Sequence, residues 1–546
     1  MRKKFLSFFV LAGLYFGGAK AQNTSGNKPN FIFILADDLG WSSMSQGATN
    51  YGYSSDFFET PNLKRMADEG LSFNNAYVNA PNCAPSRAAF LTGKYGVRPE
   101  NHIMAVVSLN RVEHNNFAPV KMRGPVQGLE DGTPEIKPEA ITLAEALGNE
   151  YVKAHIGKYH VGGSRESTKP CAQGFDYNFG GAIHGNRFYF ARKREGGWRF
   201  GPEITETLDP WAKPYTQAES LVLAGTDELA GKRKHVSDAL GTCTIDFMEE
   251  QKGRPFFINL SQYAVHSPID RGNCRPDLWK KFAQKKKMSP SAMGHDERIG
   301  LPALAANFDQ TIGRILDYLE QTDDPRNPGK KLAENTLVVF MSDNGGTFTS
   351  KYNGPLRGLK GKLREGGVRV PMIVWSKGLL GKKRINAVNE APVSAIDLYP
   401  TFLDMADIRN PKGNVLDGRS LKALINGKSD KVKRPEGIFW HYPGNLIRPY
   451  LTLNERPTTA MRLGDYKLYY FYEKESYELY NLREDIGEKR NLLEGTSGKK
   501  TNSIAKKMSS KMRQWLEDTN APMALRLSDG KPAPLPKPLG RGRKGA

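Results

Sequence analysis

Cysteine is scarce in this chain, and a long apolar run is missing from its body. The 546 residues include only four cysteines, Cys83, Cys171, Cys243 and Cys274, which excludes a disulfide-rich scaffold. If Cys83 is chemically engaged, the other three allow at most one disulfide. After the N-terminal segment no apolar run reaches the roughly 18 residues of a membrane-spanning helix, so we expect no stable membrane insertion.

The first 21 residues have the pattern of a signal peptide. Arg2, Lys3 and Lys4 precede an apolar run at residues 5–16, and the small residues of Ala-Lys-Ala at 19–21 suit a cleavage site. We therefore predict an exported protein, periplasmic or secreted.

The chain is short of negative charge, with 58 acidic residues against 79 lysines and arginines. Four of the 21 excess positive charges lie in the N-terminal segment and a net five lie in the tail from residue 521, which leaves +12 for the rest. Such a field attracts polyanions, although it also serves solubility alone. We expect no nucleic-acid partner, because an exported chain without a nucleic-acid module is a poor candidate for one.

Continuous apolar runs alternate with helical patterns over most of the chain. A strand that is buried on both faces reads as such a run, so the pattern predicts an α/β fold with a large, mostly parallel sheet flanked by helices. The predicted strands are 31–36, 152–156, 255–260, 337–341 and 370–375. The predicted helices are 61–69, 86–91, 141–147, 236–249, 301–319 and 394–405.

The pattern changes after about residue 426. Short antiparallel strands are predicted within 461–472 and 477–482, and a helix over 503–517, which together indicate a small C-terminal α+β subdomain. The tail is rich in Pro, Gly and basic residues, and is either disordered or laid on the surface. The predicted organisation is a signal peptide (1–21), a catalytic domain (28–426), a C-terminal subdomain (427–520) and a basic tail (521–546).

The most specific motif is Cys-Ala-Pro-Ser-Arg at residues 83–87, which opens a predicted helix that ends in Leu-Thr-Gly at 91–93. This string resembles the signature of the type I sulfatases in the alkaline phosphatase superfamily. The resemblance implies a sulfuric ester hydrolase. It also implies that a formylglycine-generating or anaerobic sulfatase-maturating enzyme converts Cys83 to formylglycine (3-oxoalanine).

A hydrated formylglycine suits this chemistry because it carries two hydroxyl groups on one carbon. One attacks sulfur, and loss of the other's proton then expels the sulfate, so that one difficult step becomes two. A helix N-terminus adds backbone N–H donors for an anionic substrate. Arg87, in the first turn, is expected to hold the oxygen of the nucleophile.

Two acidic strand ends predict a metal site. Asp37 and Asp38 follow the first predicted strand, and Asp343 and Asn344 follow the fourth. Oxygen ligands of this kind suit Ca²⁺ or Mg²⁺, whereas each pair taken alone is also ordinary turn chemistry. The resemblance implies Ca²⁺, bound by these four residues together with the modified Cys83.

Three basic segments resemble further motifs of the family. They are Gly-Lys-Tyr-His at 157–160, His-Ser-Pro at 266–268, and a Lys-Gly-x-x-x-Glu-Gly-Gly run at 360–367. In the first of these the family usually has Trp at the position of Tyr159. By resemblance, Lys158 and Lys360 hold the sulfate, and spacing to Glu365 favours Lys360 over Lys362. His266 is the expected proton donor to the leaving group, and His160 assists the elimination.

Substrate specificity is harder to read. A sulfated sugar is expected to need stacking surfaces and cations, which three segments offer: the basic segments 102–123 and 184–199 and the aromatic residues 439–442. The alternative interpretation is that these segments are ordinary surface loops. The candidate substrate-binding residues are Arg111, His114, His184, Arg187, Trp198 and His441.

The expected substrate is a sulfated carbohydrate, such as an algal polysaccharide or a glycosaminoglycan fragment. The first alternative is a phosphonate monoester hydrolase or phosphodiesterase of the same superfamily. The second is a non-catalytic secreted polyanion-binding protein, which would apply if Cys83 stays unmodified.

Overall fold

The structure is a computed structural model that describes residues 28–45, 55–105, 109–112, 119–183, 188–288, 296–347, 350–448, 453–495 and 498–540. The predicted signal peptide lies outside these ranges. Within them, no helix has the length and apolar character that crossing a membrane requires. All four cysteines are described, and each has a free thiol.

The strands are β1 (Asn30–Ala36), β2 (Leu71–Tyr77), β3 (Asn110–Val112), β4 (Met122–Arg123), β5 (Val152–Gly157), β6 (Tyr177–Phe179), β7 (Arg192–Arg194), β8 (Gly197–Arg199), β9 (Phe256–Ser261), β10 (Thr336–Ser342), β11 (Arg369–Trp375), β12 (Ala387–Asn389), β13 (Val393–Ser394), β14 (Ile438–Tyr442), β15 (Asn445–Arg448), β16 (Leu453–Glu455), β17 (Thr458–Leu463), β18 (Tyr466–Phe471), β19 (Ser476–Asn481) and β20 (Leu525–Arg526). The helices are α1 (Pro61–Glu69), α2 (Cys83–Thr92), α3 (Leu143–Ala146), α4 (Gln217–Ala224), α5 (Val236–Gln251), α6 (Pro276–Lys285), α7 (Glu297–Gln321), α8 (Glu365–Val368), α9 (Leu398–Met405), α10 (Lys422–Ile425) and α11 (Lys499–Asp518).

One nine-stranded sheet organises the molecule, in the order β12-β2-β11-β10-β1-β9-β5-β6 with β13 beside β2. Parallel pairing joins β10, β1, β9, β5 and β6, which confirms the predicted α/β class with a mostly parallel sheet. β11 is antiparallel to both β10 and β2. Its direction could not be predicted, because an apolar run that is buried on both faces looks the same in either direction.

The strand directions bring several loops to one edge of the sheet. β1, β5, β9 and β10 are parallel, so the residues after Ala36, Gly157, Ser261 and Ser342 share the carboxyl edge. β11 runs the other way and begins at that edge, so the segment 357–368 before it lies there too. Ligands of open α/β sheets bind at this edge.

Apolar side chains cover both faces of the sheet. Phe31 and Phe33 of β1 pack on one face with α2, α9 and the C-terminal sheet. Ile32 and Ile34 pack on the other face with α1, α5, α6 and α7. Successive side chains of a strand point to opposite faces, which is why a doubly covered strand needs a continuous apolar run.

The C-terminal region contains the predicted small antiparallel sheet, in the order β14-β17-β18-β19. Helix α11 buries Met508, Met512 and Leu516 beside it. Residues 521–540 of the tail lie against the folded body, since β20 pairs with β4 and the Tyr477 hydroxyl donates to the Lys537 carbonyl at 3.0 Å. Of the two states that the composition of the tail allows, residues 521–540 adopt the one laid on the surface.

Glycines let two loops at the carboxyl edge touch backbone to backbone. The Gly345 amide donates to the Gly367 carbonyl at 3.0 Å. A Cβ on Gly345 would lie 1.8 Å from the Gly366 oxygen, and one on Gly367 would lie 1.9 Å from the Lys362 oxygen. No side chain fits such gaps, so Gly345 lets the loop after β10 lie against the loop before β11, and Gly367 lets the loop before β11 fold closely on itself.

A buried ionic network joins the loop before β11 to the C-terminal sheet. The Glu365 carboxylate accepts hydrogen bonds from the Tyr77 hydroxyl and from the Lys467 ammonium, each at 2.7 Å. Lys467 also donates to the Leu363 carbonyl at 2.9 Å, and Glu488 accepts from the Glu365 amide at 2.8 Å. The Glu365 and Lys467 side chains are both fully buried, so each depends on the other for its neutralisation.

We predict that Lys467→Met strongly destabilises the protein. The substitution keeps the length of the side chain but leaves the buried Glu365 carboxylate without its main cation, which costs about 3 kcal/mol. Urea unfolding followed by circular dichroism measures the change. The control is Lys474→Met, an exposed lysine between β18 and β19 that should change stability by about 0.5 kcal/mol or less. Equal effects of the two substitutions would contradict the network's role.

We predict that Gly345→Ala lowers stability by about 1–3 kcal/mol, because the added methyl group overpacks a backbone contact. Gly253→Ala is the matched control: its Cβ would meet nothing within 4 Å, so the change should be neutral or slightly stabilising. The shift of the urea midpoint at an unchanged slope gives both values. An unaffected midpoint for Gly345→Ala would argue against close contact of the two loops.

Candidate active site

Cys83 is the first residue of α2, directly after the extended residue Asn82. The side chain is buried, and burial raises the pKa of the thiol, although the charges of Lys158 and Lys360 oppose that effect. A neutral thiol is a weak nucleophile. The encoded cysteine is therefore not activated as it stands.

Arg87 connects α2 to the end of β10. Its Nε and Nη2 atoms donate to Oδ2 of Asp343 at 2.9 and 2.7 Å, and its Nη1 atom donates to the Lys158 carbonyl at 2.7 Å. Arg87 and Asp343 are both buried. A guanidinium with several donors engaged is rigid, so Arg87 fixes the start of α2 against the ends of β10 and β5.

Three carboxylates and an amide meet beside this helix terminus. The Asp38 amide donates to Oδ1 of Asp343 at 3.2 Å, and the Asn344 side chain donates to Oδ1 of Asp38 at 2.7 Å. Ligand atoms of Asp37, Cys83 and Asp343 all lie within 4.8 Å of one another. The two acidic strand ends thus converge on the Cys83 side chain.

These residues fit a hard divalent cation. Oδ1 of Asp37 and Oδ1 of Asn344 are buried and have no hydrogen-bond partner among the described residues. Burial and the neighbouring Asp37 carboxylate raise the pKa of Asp343. A bound cation would satisfy the free oxygens and offset the repulsion, and oxygen donors are the ligands that Ca²⁺ and Mg²⁺ prefer.

Two lysines pair with the carboxylates. Lys158 forms a buried ion pair with Asp37, and the Lys360 ammonium lies 2.6 Å from Oδ1 of Asp38. Burial by itself would raise the pKa of Asp37, but the positive charges around it, Lys158 first, hold that pKa well below its usual range. Of the two candidate lysines in the loop before β11, Lys360 contacts the site, whereas Lys362 lines a separate small pocket.

Two histidines face the same region. Nδ1 of His266 lies 2.7 Å from the Ser267 carbonyl oxygen, which can only accept, so Nδ1 carries a proton. Its Nε2 atom lies 3.7 Å from Oδ2 of Asp38. His160 has a left-handed backbone with φ of 64°, and its Nδ1 atom is buried without a partner among the described residues. Burial lowers the pKa of both imidazoles.

Tyr189 supports the site but was not predicted. Its hydroxyl lies 2.7 Å from the carbonyl oxygen of Tyr263 and 2.5 Å from that of His266, and donates its hydrogen bond there. Tyr189 therefore holds the backbone of the segment that carries His266. The only hint in the sequence was the aromatic content of 184–199, since Tyr189 belongs to none of the motifs.

The predicted substrate-binding residues have different outcomes. Trp198 is half-buried in the hairpin of β7 and β8 and packs against the apolar core. Arg194 and Arg199 of the same hairpin, rather than Trp198, line a cleft of about 1280 Å³ along β6 together with Tyr177. Ala182 lines the cleft as well and accepts a hydrogen bond from the His160 amide at 3.0 Å, so the cleft adjoins the site.

Only the backbone of Arg111 is described, in β3. Three candidates lie outside the described residues, namely His114, His184 and Arg187.

His441 has an internal role. Its Nδ1 atom lies 2.7 Å from Oγ1 of Thr459, and its Nε2 atom lies 2.9 Å from the Pro522 carbonyl oxygen. Burial lowers the pKa of the ring to about 4. The protein itself uses both nitrogens, because β14 places this residue between β17 and the start of the tail, so the proposed contact with substrate is not supported.

Comparison with known proteins identifies the family. Residues 29–408 match the model of the Sulfatase family, and residues 360–518 match the model described as N-sulphoglucosamine sulphohydrolase, C-terminal. A sulfatase of Formosa agariphila is 34% identical over 98% of this chain and 97% of its own length. An N-acetylgalactosamine-6-sulfatase of Canis lupus familiaris is 29% identical over 86% of this chain and 76% of its own.

The solved structure of Ps i-CgsB in complex with k-i-k-neocarrahexaose superposes with a TM-score of 0.63 at 25% identity, covering 90% of this chain and 93% of that one. Family models that together extend from residue 29 to residue 518 leave no large part of the chain unmatched. The chain therefore belongs to the sulfatase family of the alkaline phosphatase superfamily, and it is a sulfuric ester hydrolase.

Proposed function

We propose that this sulfatase releases sulfate from a sulfated carbohydrate and that Cys83, after conversion to formylglycine, is the nucleophile. The observation that carries the proposal is the convergence on Cys83 of the carboxylates of Asp37 and Asp343 and the cations Lys158 and Lys360. A tetrahedral anion requires cations around its oxygens, and the paired carboxylates hold those cations in place.

The conversion of Cys83 is a two-electron oxidation. The thiol-bearing methylene group takes up the oxygen of water and becomes an aldehyde, releasing hydrogen sulfide, two protons and two electrons. The electrons pass to an acceptor such as dioxygen on the maturating enzyme. The surroundings of Cys83 favour an oxygen at this position, since sulfur is the one soft atom among hard oxygen donors.

The hydrated aldehyde supplies the covalent chemistry. One hydroxyl gives its proton to the neighbouring Asp343 carboxylate, and its oxygen bonds to sulfur as the bond from sulfur to the carbohydrate oxygen breaks. Loss of the second hydroxyl's proton then re-forms the C=O, breaks the carbon–oxygen bond to the sulfate and releases sulfate. In this scheme Lys158 and Lys360 contact the sulfate oxygens. His160, with a buried free nitrogen, receives the proton of the second hydroxyl. Arg87 orients the nucleophile from one helical turn away.

His266 is the proposed proton donor to the carbohydrate oxygen. Its Nδ1 proton is held by the Ser267 carbonyl, which fixes the ring and leaves Nε2 as the atom that exchanges a proton with substrate. An alkoxide is a poor leaving group, so protonation here lowers the barrier to S–O cleavage.

We propose Ca²⁺ as the ion held by the side chains of Asp37, Asp38, Asp343, Asn344 and the modified Cys83. When bound, Ca²⁺ would act as a Lewis acid toward a sulfate oxygen and offset the substrate's negative charge. The unpartnered oxygens of Asp37 and Asn344 support a site of this kind.

A carbohydrate substrate is supported from three directions. Relatives and neighbours include an N-acetylgalactosamine-6-sulfatase and a protein solved with a neocarrahexaose. The cleft beside His160, at about 1280 Å³, is larger than the roughly 300–1,000 Å³ of a drug-sized ligand site and is open enough for an oligosaccharide. The positive charge of the chain favours an anionic polymer, and the N-terminal pattern supports export to where such polymers occur.

We predict that Cys83→Ala abolishes hydrolysis of both aryl sulfates and sulfated oligosaccharides while the protein stays folded, because alanine cannot be converted to an aldehyde. Mass spectrometry of the tryptic peptide that contains Cys83, from protein made in its native host, should show a lighter species with an aldehyde in place of the thiol-bearing methylene. Cys243, in the middle of α5, provides the control, since Cys243→Ala should keep its activity.

Three results would count against the proposed mechanism. Sulfatase activity in Cys83→Ala would exclude covalent catalysis by this residue. An unmodified peptide from the native host would favour a non-catalytic polyanion-binding protein. Faster cleavage of aryl phosphonate monoesters than of aryl sulfates would make the protein a phosphonate monoester hydrolase or phosphodiesterase.

We predict that Ca²⁺ raises the stability of the chelator-treated protein by about 2.7 kcal/mol at a concentration 100 times its Kd. Asp38→Ala should lose this gain, because it removes a proposed ligand, whereas Asp56→Ala, at an exposed carboxylate, should retain it. Thermal unfolding with and without the ion measures both. A larger gain with Mg²⁺ would contradict the choice of ion, and no gain with either would contradict a hard-cation site.

A further inference from the structure

In sulfate ester hydrolysis the carbohydrate is the leaving group. It must therefore lie on the side of the residue that protonates its oxygen, which is the His266 side if the proposed function holds. Whatever recognises the carbohydrate should be found in the protein layer next to the segment of His266.

That layer consists of three short segments around residues 188–191, 232–236 and 270–276. Tyr189 joins the first to His266 through its hydroxyl, and its ring stacks on His235 of the second segment at 5.2 Å. Backbone hydrogen bonds join the Ala191 amide to the Lys234 carbonyl at 2.9 Å and the Val236 amide to the Tyr189 carbonyl at 2.8 Å. The third segment is attached because Oδ1 of Asn273 accepts from the Tyr189 amide at 3.2 Å.

The outer side of this layer contains a basic pocket of about 330 Å³. Its cations are Lys232, Arg233 and Arg271, all exposed, and its floor includes Phe190. None of the described residues that line it carries a carboxylate. The volume lies within the range of small-ligand sites, at about 300–1,000 Å³, and its composition suits a ligand with an apolar face and a negative substituent.

The Arg233 guanidinium is held in an orientation that suits an anionic ligand. Its guanidinium lies over the Phe190 ring, with Cζ 5.3 Å from the ring centroid, and no carboxylate pairs with it among the described residues. Stacking on an aromatic ring holds the guanidinium plane while its N–H edge stays available for a planar or tetrahedral oxyanion. Lys232, by contrast, has Glu228 at 3.8 Å, so its charge is partly offset.

We propose that this basic pocket binds an anionic substituent, sulfate or carboxylate, on a sugar next to the one that loses its sulfate, with Arg233 as the main contact. The enzyme would then prefer a carbohydrate with more than one negative group over a singly sulfated one. This inference rests on the proposed function, because it takes His266 to mark the side of the leaving group.

The test compares Arg233→Gln with the wild type on three kinds of substrate: an aryl sulfate, an oligosaccharide whose neighbouring sugar is neutral, and two matched oligosaccharides whose neighbouring sugar carries a sulfate or a carboxylate. Arg233→Gln removes one charged contact. It should therefore lower kcat/KM about tenfold more on an oligosaccharide whose neighbouring sugar is anionic than on the aryl sulfate or on the oligosaccharide whose neighbouring sugar is neutral. A selective loss with the sulfate-bearing or the carboxylate-bearing neighbour identifies which group the pocket takes.

Arg409→Gln is the matched control, since Arg409 is exposed and follows a segment near Lys28, at the opposite edge of the sheet. It should leave all three rates unchanged. Equal losses of kcat/KM on all substrates with Arg233→Gln, or no loss on any of them, would overturn the proposed role of the pocket. Absence of any sulfatase activity in matured wild type would instead overturn the proposed function, so the two failures are distinguishable.

Discussion

The site depends on the neutralisation of three carboxylates that are buried side by side. Asp37 pairs with Lys158, Asp38 with Lys360, and Asp343 with Arg87. In each pair the two partners come from different segments of the chain. Because an unpaired charge in the interior costs several kcal/mol, each cation must be held wherever its carboxylate is, and this requirement fixes the start of α2, the end of β5 and the loop before β11 against the ends of β1 and β10.

The same constraint explains the C-terminal subdomain. The loop that carries Lys360 also carries Glu365, and the carboxylate of Glu365 is neutralised by Lys467 of β18 rather than by the catalytic region alone. Arg364, from the same loop, lies over the Tyr469 ring at 4.3 Å and pairs with Glu478. The antiparallel sheet therefore supports the loop of Lys360 from behind, which gives a small subdomain a direct part in the geometry of the site.

The proposed chemistry and the proposed substrate recognition occupy different layers of the molecule. The groups proposed to act on the sulfate are buried or half-buried at the carboxyl edge, where charge pairs and hydrogen bonds hold them in place. The cleft along β6 and the basic pocket at Arg233 are open, and they lie on segments that can vary without disturbing the charge pairs. Tyr189 connects the two layers, since its hydroxyl contacts the His266 segment while its neighbour Phe190 lines the basic pocket.

The sequence alone determined the α/β class, five strands of the main sheet, the longer helices, and the motifs at 37–38, 83–87, 158–160, 266 and 343–344, because buried strands and short motifs are local patterns. It favoured Lys360 over Lys362 from spacing, but it did not determine that β11 is antiparallel or that Tyr189 holds the His266 segment. It also suggested a substrate contact for His441, whose nitrogens are both used internally. Tertiary structure alone decided these points, since strand direction, side-chain direction and the pairing of charges depend on residues that are distant in the chain.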